Sequence, residues 1–108
     1  MTVREFAEKF GYIVLCMPDP EREIGGGYAG DLLSWVMGRL DADDAWVTIM
    51  SNINVVAVAA LADPSMIVLA ENVNAEDGVI ERAEAQGINI LKTNKDTFSA
   101  CADINLVL

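Results

Sequence analysis

The residue types most open to a chemical role gather in one stretch, Gly25-Gly26-Gly27-Tyr28-Ala29-Gly30-Asp31. Gly25, Gly27 and Gly30 satisfy G-x-G-x-x-G, the spacing with which a backbone loop cradles a dinucleotide pyrophosphate. Such a loop should leave a strand directly and open a helix. Gly30-Asp31 meets the second condition, but Pro18 and Pro20 separate the glycines from the apolar run at 12–16. The strand expected at 45–50 ends in Met50, with no acid placed to hold a ribose. Gly25 and Gly30 also outline a phosphate loop, yet Asp31 and Leu32 stand where Lys and Ser/Thr belong, and a carboxylate there repels phosphate. The simpler reading is a tight turn whose glycines permit positive φ or close packing, with Asp31 as the N-cap of the next helix.

A second polar group, Thr48, Ser51, Asn52 and Asn54, falls where a predicted strand hands over to a predicted helix. Ligands of open parallel sheets bind at such carboxyl ends, and helix N-termini offer free N–H groups to anions. Gly26, Gly27, Gly30, Asp31, Thr48, Ser51, Asn52 and Asn54 therefore form the candidate ligand-binding set, suited to a nucleotide or small acid. The plainer alternative is that Ser51 or Asn52 only caps the helix. Asp31, Asp43 and Asp44 are the acids from which a Mg²⁺-dependent enzyme would have to be assembled, but all lie at predicted turns or helix ends, where solvated acids are ordinary. The chain contains no histidine, which removes His triads, His metal sites and a His proton switch. Cys16 and Cys101 are too few ligands for a metal and read as buried thiols of a reducing compartment rather than a disulfide. No nucleophile, base and oxyanion donor come together. Neither catalysis nor a cofactor or metal is expected.

The 108 residues suit a single domain spanning 1–108, and 53% of them are apolar. Seventeen acids against seven bases give a net charge of −10, which argues against nucleic acid or an anionic membrane as partner. The longest apolar run, Val55–Ala62, has eight residues, far short of the roughly 20 of a membrane span. No secretory signal is read at the N-terminus, so the expected location is cytoplasmic.

The elements that must position these residues follow from periodicity and punctuation. Thr2 with Glu5 signs a capping box before Val3, Phe6, Ala7 and Phe10, and Gly11 stops that helix. Residues 12–16 read as a strand buried on both faces, and 17–27 as a loop with a short strand near Glu23-Ile24. Asp31 to Gly38 predicts a helix, 45–50 a strand, 53–62 a helix ended by Asp63-Pro64, and 66–70 a strand. Asn74 with Asp77 begins a helix stopped by Gly87, 88–91 forms a strand, and Thr93 with Asp96 caps a last helix carrying Phe98, Cys101 and Ala102. The tail, 104–108, fits either helix or strand. Strands alternating with helices predict an α/β fold, a three-layer sandwich with a mainly parallel sheet of four to five strands and helices on both faces.

The helix Leu32-Leu33-Ser34-Trp35-Val36-Met37 has almost no wet side. A surface helix should have one. Small domains bury only about two-thirds of their unfolded surface, so some apolar surface is expected to end against another subunit. Leu32, Trp35, Val36 and Met37 are the candidate interface, and a homodimer is expected. In the helix 53–62 the alanines signal core packing instead.

The stretches Gly26-Gly27-Tyr28-Ala29-Gly30-Asp31-Leu32-Leu33-Ser34-Trp35-Val36-Met37-Gly38, Trp46-Val47-Thr48-Ile49-Met50-Ser51-Asn52-Ile53-Asn54-Val55-Val56-Ala57-Val58-Ala59, Gly87-Ile88-Asn89-Ile90-Leu91-Lys92-Thr93 and Asp96-Thr97-Phe98 resemble the small stand-alone proteins of the DRTGG-domain family. That family is similar to the N-terminal domain of the HPr kinase/phosphorylase and, more distantly, to those of Mur ligases. The resemblance implies a parallel α/β sandwich and a regulatory module, since in larger proteins the domain accompanies CBS domains or a phosphotransacetylase. Stand-alone members of the family are often encoded near hydrogenase and histidine-kinase-like genes, so the resemblance implies a redox or signalling context. Kinase activity belongs to another domain of the HPr enzyme and does not transfer. The family's Asp-Arg pair should fall near Met50 to Asn52, and its Thr-Gly-Gly near Ala70-Glu71-Asn72; this sequence has neither. The expectation is thus a non-catalytic regulatory or interaction domain, with two alternatives. One is a small-ligand sensor with its site at the carboxyl ends of the strands; the other is a Mg²⁺-dependent enzyme.

Overall fold

In the computed structural model, which describes residues 1–108, the chain begins with the expected capping box. The Glu5 N–H donates to the Thr2 hydroxyl at 3.1 Å and the Thr2 N–H to the Glu5 carboxylate at 2.9 Å. These bonds satisfy the first N–H groups of α1 (Val3–Phe10), and Gly11, left-handed at φ 73°, ends it. The chain then runs β1 (Ile13–Cys16), β2 (Gly26–Ala29), α2 (Leu33–Arg39), β3 (Asp44–Thr48), α3 (Ile53–Ala62), β4 (Met66–Leu69), α4 (Val79–Gln86), β5 (Ile90–Lys92) and α5 (Thr97–Asn105). The five strands form one sheet in the order β1-β5-β4-β3-β2. β2 to β5 are parallel, and β1 is antiparallel to β5.

The layers follow from alternation along the strands. Trp46 faces one side with Ile67, Leu69 and Ile90, under Val36 of α2, Val55, Val56 and Val58 of α3, and Val79 of α4. Val47 faces the other with Met66, Val68 and Leu91, under Val3 and Phe6 of α1 and Ala100 and Ile104 of α5. β4 is buried on both faces, as a central parallel strand must be. This is the expected three-layer α/β sandwich.

Several elements differ from expectation. β1 is an edge strand with Ile13 and Val14 exposed, not a strand buried on both faces; an apolar run alone does not say whether a strand has neighbours on both sides. The glycine segment is strand β2 rather than loop, and at Glu23 there is only an isolated bridge to Thr2. β3 stops at Thr48 rather than Met50, and α4 starts after Gly78, without a side-chain cap from Asn74 or Asp77. Asp96 alone caps α5, accepting the Ser99 N–H at 2.7 Å. The ambiguous tail continues α5 to Asn105. Phe98 and Ala102, placed on this helix from the sequence, are exposed, while Ala100 and Ile104 make its buried face. No helix is long and apolar enough to cross a membrane.

Two polar clamps hold the end of the sheet opposite the candidate site. Arg22 Nε donates to Asp43 Oδ1 at 2.8 Å, and its terminal nitrogens donate to Asp63 Oδ1 at 3.0 Å and the Asp63 carbonyl at 2.8 Å. Asn89, buried at 2% exposure, accepts the Asp19 N–H at 2.9 Å and donates to the carbonyls of Asp19 at 2.7 Å and Ser65 at 3.0 Å. One side chain thus ties the proline loop to the start of β4. Replacing Asn89 with Ala leaves these buried groups without partners, so urea unfolding should show a loss of about 2–3 kcal/mol. An unchanged midpoint would mean the loop is held by other contacts.

Candidate functional site

At the exits of the parallel strands, Asp31 does something other than cap a helix. The N-cap of α2 is Leu32, which has no capping side chain. One oxygen of the Asp31 carboxylate accepts from the Thr48 hydroxyl at 2.8 Å and from the Ile49 N–H at 2.9 Å. Thr48, only 1% exposed, in turn accepts the Met50 N–H at 3.1 Å. Trp46 adds a bond from its indole N–H to the Gly30 carbonyl at 3.0 Å. The end of β2 is therefore clasped to the end of β3 by side chains as well as backbone.

The glycines have a packing reason. None of Gly25, Gly26, Gly27 or Gly30 is left-handed; the left-handed glycines are Gly11, Gly78 and Gly87. The positive-φ reading is therefore corrected, and the close-packing reading stands. A Cβ on Gly26 would run into the Asp44 carboxylate. One on Gly27 would sit 3.2 Å from Ile104 Cγ2, and one on Gly30 2.9 Å from the Tyr28 ring. Three different neighbours claim the space, so these residues do not form a shared cradle for a phosphate.

Of the candidate set, Gly30, Asp31, Thr48, Ser51, Asn52 and Asn54 share the rim where β2 and β3 end. Gly26 and Gly27 do not, because they lie inside β2. Asn52 caps α3, accepting the Asn54 N–H at 2.9 Å. The Ser51 hydroxyl reaches Glu76 at 3.4 Å, and the Ser51 carbonyl accepts the Glu76 N–H at 3.0 Å. The helix-capping reading is thus correct for Asn52.

The rim continues past β4 with Glu71 and Asn72, both left-handed at φ 60°. Glu71 donates its N–H to the Lys95 carbonyl at 2.8 Å and accepts the Thr97 N–H at 3.0 Å, and the Asn72 N–H reaches the Thr93 carbonyl at 3.0 Å. This is where the family resemblance places Thr-Gly-Gly. Two successive left-handed residues are what a glycine pair adopts without steric penalty. Glu71 and Asn72 adopt this backbone without glycine.

The acids proposed for Mg²⁺ do not meet. Asp31 lies at the exit of β3 and Asp43 and Asp44 at its entry, separated by a strand of five residues rising about 3.3 Å each. Arg22 holds Asp43, and Asp44 accepts the Asp41 N–H at 2.9 Å. The two cysteines pack with opposite faces of the sheet and are free thiols. Burial pushes both thiols above their ordinary pKa, away from the reactive thiolate.

The apolar helix divides in two. Val36 is fully buried in the chain's own core, which removes it from the expected interface set. Leu32, Trp35 and Met37 remain more than half exposed, Trp35 at 57%. The Arg39 guanidinium lies 4.2 Å from the Trp35 ring centre, covering one of its faces. A small apolar cavity of about 160 Å³ lies between β2 and the end of α5, lined by Tyr28, Ala29, Cys101, Ile104, Asn105 and Leu108 among others. The only sequence signal for it was the apolar tail, whose structure periodicity did not decide.

Residues 29–107 match the family described as the DRTGG domain. The fold is similar, with a TM-score of 0.74 and 12% identity, to a crystal structure of the CBS and DRTGG domains of the regulatory region of Clostridium perfringens pyrophosphatase, complexed with its activator diadenosine tetraphosphate. The match covers 95% of this chain and 45% of that one, so this chain spans less than half of the solved region. No curated protein matches the sequence.

The left-handed turn gives a direct test. Asn tolerates this conformation, so Asn72→Gly should leave thermal stability nearly unchanged, whereas Asn72→Val should lower it by about 1–2 kcal/mol. Equal melting points for the two variants would mean the turn is not left-handed in solution.

Proposed function

The chain belongs to the DRTGG-domain family, and we propose that it is a non-catalytic regulatory domain acting by self-association through the outer face of α2. The observation that carries this reading is that Leu32, Trp35 and Met37 stand exposed on a seven-residue helix and its N-cap, while Val36, with Leu33 and the C-cap Leu40, packs on the core. Trp and Met are residues that anchor interfaces. The Arg39 guanidinium stacks on the Trp35 ring, which stays largely exposed. The solved neighbour, itself part of a regulatory region, supports the regulatory half of the reading. The redox or signalling context follows from the family resemblance.

Light scattering should show a mass rising with concentration from 11.6 kDa toward twice that value. Trp35→Asp should hold the smaller mass with an unchanged circular dichroism spectrum. A wild-type mass that stays at the monomer value up to millimolar concentration would remove the reading.

A second reading, ligand sensing, is supported by the neighbouring regulatory region having been solved with a dinucleoside tetraphosphate activator. The rim formed by Gly30, Asp31, Thr48, Ser51, Asn52 and Asn54 would hold the ligand here. A thermal-shift series with mono- and dinucleotides tests it. A ligand at a hundred times its dissociation constant stabilises by about 2.7 kcal/mol, and Asn52→Ala should abolish that gain. No shift with any nucleotide rules this reading out.

A further inference from the structure

We infer that two copies of this chain join by pairing their β2 edges antiparallel, making one continuous sheet from two five-stranded ones. This rests on the self-association reading above and states where the contact runs.

β2 has β3 on one side and no strand on the other. At the exit of β2 the Gly30 N–H donates to the Val47 carbonyl at 3.1 Å. Alternation along the parallel ladder then aims Gly26 and Tyr28 at β3 and turns the N–H and C=O of Gly27 and Ala29 toward the open edge. Edge strands in monomers are ordinarily blunted by Lys, Pro, a bulge or a covering element. The opposite edge, β1, has such a device, because its register breaks between Val14 and Cys16. β2 has none: Gly-Gly-Tyr-Ala runs in unbroken register from Gly26 opposite Asp44 to Ala29 opposite Val47.

Charge selects the occupant. A chain of net charge −10 repels its own copy over most of its surface. From Ile24 to Gly38 the one charged residue is Asp31, and its carboxylate is bonded to Thr48 and Ile49. β2 and α2 thus form a window free of unpaired acids, with Arg39 at its end, the part of the surface on which an identical acidic molecule can settle. A basic partner would be drawn elsewhere, to the acids. A two-fold axis across antiparallel strands makes the same patch serve both copies.

Area is consistent with this placement. A standard interface takes about 800 Å² from each partner, more than a strand of four residues can supply from the 5389 Å² this chain exposes. The neighbouring helices supply the remainder. α2 packs on α3, and α3 on α4, so α2 is the outermost helix of its layer at the β2 end. On the opposite face the end of α5 packs on β2, where Ile104 meets Gly27. Exposed apolar side chains therefore flank the edge from both layers: Leu32, Trp35 and Met37 from α2, and Leu106 and Leu108 beyond α5.

Amide hydrogen exchange by NMR on the full chain, at a dilute and a concentrated setting checked by light scattering, tests the pairing. Doubled mass should come with exchange at Gly27 and Ala29 slowed by about tenfold or more relative to dilution. Doubled mass with these two amides still unprotected overturns the edge pairing and leaves the α2 contact standing. A mass that stays single at both concentrations overturns the self-association reading, and the edge pairing with it.

Discussion

The bond pair at Asp31 is the constraint on which this end of the molecule depends. β2 contributes little side-chain packing beyond Tyr28, since two of its four residues are glycine. Its position must come from backbone pairing and from what holds its exit. The Asp31 carboxylate supplies that hold by taking both the Thr48 hydroxyl and the Ile49 N–H, and Thr48 is buried where an unpartnered hydroxyl would be destabilising. With the exit fixed, the chain can turn directly into α2 without a side-chain cap. Val36 then reaches the core and leaves Trp35 and Met37 outside. The apolar surface that the proposed function uses is a downstream result of one carboxylate.

Legibility from sequence tracked how local each signal was. The Thr2–Glu5 box, the Asn52 cap and the Gly87 stop were readable because capping is decided within a few residues. β3 and β4 were readable because strands buried on both faces are continuously apolar. β2 was not, because glycine is depleted in strands and the reasons for it here are long-range. They are the carboxylate of Asp44 and the side chain of Ile104, far along the chain from Gly27. Asp31 was misread for a related cause: a carboxylate before a helix usually caps it, and only the sheet brings Thr48 within reach. Val36 and Trp35 are neighbours of similar hydropathic character, and which one faces inward was set by where α2 sits.

The family resemblance and the coordinates together clarify the missing motif. Glu71 and Asn72 adopt a left-handed backbone that a glycine pair takes without steric penalty. What the turn does here is structural. It ties the exit of β4 to Thr93, Lys95 and Thr97, so the carboxyl rim is cross-braced by hydrogen bonds from β2 through to α5.

The opposite rim is held differently. Its principal tie is Arg22 between Asp43 and Asp63, an ionic knot open to solvent on one side. Exposed ion pairs weaken as ionic strength rises, while neutral hydrogen bonds are little affected. Added salt would therefore loosen the molecule from the entry side of its strands and leave the exit side firm. The same ions would shield the excess negative charge that keeps copies apart, so salinity acts on internal order and on crowding tolerance in opposite senses.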